Sequence, residues 1–102
     1  MKLERAWLFG DAPSTPVVTT RQVTERQLPI LYVSHEQDED GLPTWHFLCL
    51  TVPFAMEDAQ LVRLDTIVEL DPSITTLAEL PLGYCALRTA PGAEWRWEQE
   101  GQ

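Results

Sequence analysis

The sequence predicts an α+β fold: a single small domain over residues 1–102, with a mainly antiparallel or mixed sheet of four to six strands, a central hairpin, and two short helices packed on one side. Three observations point there. Runs of β-branched and aromatic residues recur along the chain, bounded by Pro, Gly, Asp and Ser. Two of these runs, "ILYVSHE" (residues 30–36) and "TWHFLCL" (44–50), flank an Asp-Gly turn signal. Between residues 64 and 83 the pattern changes to helix caps and helical spacing. A chain of 102 residues, 44% hydrophobic and 23% charged, is long enough for one domain around one core.

The first sixteen residues are the least regular, and "DAPSTP" (11–16) is turn chemistry. "VVTT" (17–20) is β-branched throughout and predicts a short strand. "RQVTERQLP" (21–29) fits either a polar helical turn or a twisted continuation of that strand. In the hairpin, Asp40 and Gly41 suit the centre of a type I′ turn, which needs positive φ at both central residues. That centre places His35 opposite His46, Val33 opposite Leu48 and Leu31 opposite Leu50. Tyr32, Ser34, Trp45, Phe47 and Cys49 then fall on the other face. Both faces are apolar near the base, as in central strands covered on both sides. Pro43 removes a donor near the turn and keeps a wider loop open as the alternative.

"TVPFAMEDAQ" (51–60) predicts a loop with one helical turn, and "LVRL" (61–64) a short strand. Asp65 is placed to cap the first helix, with Leu64, Ile67 and Val68 on one side. The second has sharper punctuation: Asp71 as N-cap, Pro72 as first helical residue, and a stop near Pro81-Leu82-Gly83. Ile74, Leu77 and Ala78 share its apolar face. "YCALRT" (84–89) is a strand, "APGA" (90–93) a turn and "EWRWE" (94–98) a last strand, with residues 98–102 expected to fray. Trp95 and Trp97 lie two apart and so share a face of that strand, with the core as their expected place and a partner interface as the open alternative.

Charge narrows the partners. Sixteen acidic residues face seven basic ones, for a net charge of −9. Such a surface repels phosphate backbones and anionic lipid, so neither nucleic acid nor membrane is expected as a partner; it favours solubility and could steer a basic protein, although on charge alone the ordinary acidity of cytosolic domains is the simpler reading. The start "MKLERAWLFGD" carries Glu4 and Asp11 around an apolar run too short for a secretory core, so a cytoplasmic location is expected. In that compartment Cys49 and Cys85 are expected as buried thiols rather than a disulfide.

The stretch "HEQDEDGLPTWHF" (35–47) is the one place where chemistry concentrates. As a calcium loop starting at Glu36 it fails at the twelfth position, which is Phe47 rather than a bidentate Glu. As a zinc site it supplies His35 and His46 without a third converging ligand, which leaves a small metal-dependent enzyme as a remote alternative. No nucleophile elbow, phosphate loop or singled-out carboxylate pair is present, so no enzyme activity and no cofactor are expected. Two acidic clusters remain: Glu36, Asp38, Glu39 and Asp40 at the hairpin tip, then Glu57 and Asp58, which merge if the loop after Leu50 folds back beside the tip.

From the hairpin with its acidic tip, through the W-x-F strand (Trp45, Phe47), the pair Glu57-Asp58, the D-P-S-I to L-P-x-G segment from Asp71 to Gly83, and the aromatic tail, the chain resembles the bacterial immunity protein thirty-three domain family. The likeness spans roughly residues 17–97, and its D-P to P-x-G segment is the most distinctive part. The resemblance implies a non-catalytic protein that binds a cognate toxin domain in the cytosol and occludes its active site. The expected partner-binding residues are Glu36, Asp38, Glu39, Asp40, Glu57, Asp58 and Trp45, set against a basic cleft of the toxin. The alternative is a structural or regulatory interaction domain that forms a homodimer, for instance through an edge strand.

Overall fold

The computed structural model describes residues 7–50 and 55–99. Six strands form one mixed sheet: β1 (Pro16–Thr20), β2 (Tyr32–Gln37), β3 (Pro43–Leu48), β4 (Ala59–Arg63), β5 (Tyr84–Leu87) and β6 (Arg96–Gln99). Their spatial order is β4-β1-β3-β2-β5-β6, so the β2–β3 hairpin is central, as expected. Every neighbouring pair is antiparallel except β1 and β3, which run parallel. The helical parts are short: α1 (Arg21–Thr24), α2 (Leu64–Leu70), and 3₁₀ segments at Met56–Asp58 and Pro72–Leu77. The arrangement is α+β, and no described helix is long and apolar enough to cross a membrane.

Local sequence accounts for the helical boundaries. Asp71 accepts a hydrogen bond from the Ser73 amide at 3.1 Å, and Pro72 opens the 3₁₀ segment with a φ already suited to it. The segment reaches Leu77 as 3₁₀ rather than α-helix, and Gly83, at φ +85°, turns the chain into β5. The Asp65 side chain does not cap α2; Arg63 precedes the helix, and its guanidinium forms a bidentate pair with Asp65 at 3.0 and 2.9 Å. The segment after β1 resolves to one turn of helix that buries Gln22 and Val23. β6 starts two residues later than the sequence pattern suggests and extends to Gln99. The loop expected at residues 51–60 lies partly outside the described residues, as do residues 1–6 of the irregular start and 100–102 of the stretch expected to fray from 98; Glu98 and Gln99 are paired in β6 instead.

One face of the sheet carries the core. Val17, Val33, Phe47 and Ala86 are fully buried there, against Leu64, Ile67, Ile74 and Leu77 from α2 and the 3₁₀ segment that follows it, and Leu80 from the turn beyond. Phe9 and Trp7, ahead of β1, close the same side. At roughly 25 cal/mol per Å² of apolar area removed from water, this single layer is the main source of stability. The other face carries Val18, Tyr32, Leu48 and Leu87, all half-buried, with Ser34 and Cys85 buried between them; among the described residues the helices pack on the first face.

The hairpin register corrects a further expectation. Asp38 and Leu42 close the loop, with the Asp38 amide donating to the Leu42 carbonyl at 2.8 Å. The Gly41 amide donates to the Asp38 carbonyl at 2.9 Å, and Gly41 alone in the loop has positive φ, at +80°. This is a three-residue loop, a type I turn followed by a left-handed glycine, rather than a two-residue type I′ turn. The extra residue shifts the pairing by one: His35 faces Trp45, Ser34 faces His46, and Val33 faces Phe47. A slip of one residue moves a whole set of side chains to the opposite face. Trp45, Phe47 and Cys49 therefore join Val33 and His35 on the core side, while His46 joins Ser34 and Tyr32. Cys49 and Cys85 are both buried thiols on opposite faces of the sheet.

Candidate functional site

The acidic tip is built by its own sequence. Asp38 Oδ1 accepts from the Asp40 amide at 2.8 Å and from the Leu42 amide at 2.9 Å. One carboxylate thus satisfies two loop donors that the ladder cannot reach, which holds the turn in a single shape. Glu39, Asp40 and Leu42 are left exposed at the summit, Leu42 at 59%. Glu36, two pairs below, is held from the side: Ser34 Oγ donates to its Oε2 at 2.6 Å, and His46 Nδ1 lies 3.4 Å from the same oxygen. The tip therefore combines two projecting carboxylates, two positioned ones, and one exposed leucine.

Glu57 and Asp58 are not part of this surface. Because β4 runs antiparallel to β1, with Ala59 opposite Thr20 and Arg63 opposite Pro16, the Met56–Asp58 segment sits at the far end of the sheet from the hairpin loop. A strand of this length separates the two acidic clusters by roughly 20 Å. Asp58 also has an internal task. Its carboxylate accepts from the Ala55 amide at 2.9 Å and from Gln22 Nε2 at 3.3 Å, tying the segment to α1. The Ala55 amide, then Gln22, then the nearby Arg21 and Arg26 charges hold its pKa below the ordinary 3.8.

Trp45, expected at the partner surface, is 2% exposed and belongs to the core. Its indole N–H donates to Asp11 at 2.9 Å, its ring stacks on His35 at 3.9 Å, and Phe9 meets it edge-on at 5.2 Å. The signal that could have shown this is the register, which only the loop conformation decides. Trp95 and Trp97 part company: Trp95 is half-buried under the Arg88 guanidinium, 4.3 Å from its ring, whereas Trp97 is 43% exposed.

The histidine pair does not converge. His35 hydrogen-bonds through Nδ1 to the Leu80 carbonyl at 2.7 Å on the core side, and His46 lies on the opposite face. Among the described residues, no three His, Cys, Asp or Glu side chains are grouped to hold a metal. Ser34, His46 and Glu36 do form a trio, but serine and carboxylate both meet Nδ1, at 3.2 and 3.4 Å, and Ser34 is fully buried. A nucleophile relay needs the two on opposite ring nitrogens and an accessible hydroxyl. The trio instead satisfies polar groups on the face away from the core.

Sequence reasoning passed over Arg88. It is 7% exposed and donates to the Ile30 carbonyl at 3.0 Å, to Ser73 Oγ at 3.1 Å and to Asp71 at 2.6 Å. A lone arginine ending the apolar run "YCALR" was its only trace in the sequence.

No family model, no curated protein and no solved structure matches this chain. The geometry of its own residues is what bears on its role.

Proposed function

We propose that this chain is an immunity-type protein whose hairpin tip enters a basic cleft of a cognate toxin domain and blocks it sterically, without chemistry of its own. The observation that carries the reading is the tip: Glu39 and Asp40 project from a loop that Asp38 locks in one shape, beside the exposed Leu42. A locked loop loses little conformational freedom on binding, so its charges and its apolar group act at low entropic cost. The net charge of −9 adds long-range attraction for a basic partner. Glu36 and Asp38 support the tip, while Glu57, Asp58 and Trp45 drop out of the surface because of where the fold places them.

The test is co-purification of this chain with the product of the neighbouring reading frame, followed by association kinetics between the two. Reversing Glu39 and Asp40 to Lys should slow association by about tenfold or more at low salt, and the gap should close as salt screens the charges. Leu42→Ser should speed dissociation and leave association alone. An unchanged association rate for the charge reversal would sink the acidic-tip mechanism.

A further inference from the structure

The sheet ends in two strands with one unpaired edge each among the described residues, β4 and β6. A free edge presents a row of backbone donors and acceptors, and edges are commonly blunted by shortness, charge, Pro or a bulge. β6 is short and carries two charges, but it has neither Pro nor a bulge, and its two charges are of opposite sign. Its register with β5 runs unbroken from Tyr84 opposite Gln99 to Leu87 opposite Arg96, and all four of its residues are exposed.

The strand is also complementary to itself. Arg96 and Glu98 share one face, the one that carries Leu87 and Cys85, and Trp97 points to the other with Ala86. If a second β6 is laid antiparallel along this edge, centred on Trp97, each Arg96 faces the second copy's Glu98 and the two tryptophans meet on the axis. Arg96 and Glu98 already attract within one chain, at 3.0 Å, so the pairing extends an existing charge pattern rather than creating one. Opposite charges and aromatic pairs directly across two strands are the favourable cross-strand combinations. β4 does not match this: centred on Leu61, it would set Ala59 against Arg63, with no opposite charge across the edge.

We propose that β6 is a homodimerisation edge. Two copies join antiparallel through β6 about a two-fold axis at Trp97, and the two six-stranded sheets become one continuous sheet. The axis reverses strand direction, so the two acidic tips point to opposite ends and each stays accessible. The dimer does not depend on the toxin-binding reading, and its test uses this chain alone.

The experiment is sedimentation of the whole chain over a dilution series, with circular dichroism as a folding control. The wild type should show a monomer–dimer equilibrium. Arg96→Glu and Glu98→Arg each place like charges opposite one another, and each should raise the dimer dissociation constant at least about tenfold. The double exchange R96E/E98R restores opposite pairing and should restore the dimer. Trp97→Cys should form, under mild oxidation, a disulfide mapped to position 97 in both chains. A strictly monomeric wild type overturns the proposal. So does a dimer that ignores the single exchanges, and so does a dimer lost in Leu61→Lys but not in Arg96→Glu, which would place the interface at β4.

Discussion

Asp38 and Asp58 show how one residue type in two places takes two jobs. Asp38 accepts two amides of its own loop and so shapes the surface that Glu39 and Asp40 present. Asp58 accepts one amide of its own turn and reaches across to Gln22, and so fastens a segment. Its lowered pKa carries a pH signature. A carboxyl with a folded pKa below its unfolded value stabilises the fold at pH above the unfolded value, near 3.8, and loses that contribution as pH falls through the lower folded value. Asp58→Asn should therefore lower the thermal midpoint at neutral pH, with the difference from wild type shrinking below about pH 4. A difference that stays constant from neutrality down to pH 2 would show that the carboxylate charge is not what stabilises the turn. At this scale the sequence is informative wherever the partner is close along the chain. Asp71 and its Ser73 amide are two residues apart, and the cap was legible. The partner of Trp45 is His35, ten residues away across a loop, and its burial was not.

Among the elements, Arg88 ties β5 to the helical layer through polar contacts, beside the apolar packing of Ala86. Arg88 leaves the end of β5, binds the Ile30 carbonyl ahead of β2, and pairs with Asp71 and Ser73 at the start of the 3₁₀ segment. Its side chain is 2% exposed and that of Asp71 22%. Removing one partner of a buried pair strands the other, at a cost of about 3 kcal/mol when water still reaches part of it. Arg88→Met should lower the urea midpoint accordingly, while Arg63→Ala, which breaks an exposed pair of similar length, should scarcely move it. Equal effects would show that burial does not set the worth of these pairs. The hairpin teaches a related lesson. The two strands and the turn between them are legible because β-rich runs and turn residues are local signals. The register depends on whether two or three residues close the loop, and "DEDGL" is compatible with both. Two amides finding the Asp38 carboxylate favour the longer loop, and that choice decides which face His46, Trp45 and Phe47 occupy.

Over the whole molecule, charge and topology act together. A net charge of −9 on 102 residues makes the folded chain repel itself more than the expanded chain does. Raising the ionic strength from a few millimolar to about 0.15 M, where the screening length falls to about 8 Å, should raise the thermal midpoint at pH 7. A midpoint that falls with salt would mean that attractive pairs outweigh the excess of acids. The sheet order β4-β1-β3-β2-β5-β6 sets the hairpin tip at one end of the central strands, the Met56–Asp58 segment at the other, and β6 along an edge. The α+β class, the approximate strands, the capped segment at Asp71 and the acidic character are all determined by the sequence alone. Each arises from composition or from contacts within a few residues, where the chain itself keeps the partners close. Tertiary structure alone decided that the two acidic clusters lie apart, that the histidines face opposite ways, that Trp45 is buried while Trp97 is exposed, and that Arg88 ties sheet to helix. Those outcomes depend on register and strand order, which are selected by the packing of the whole core and not by any one segment.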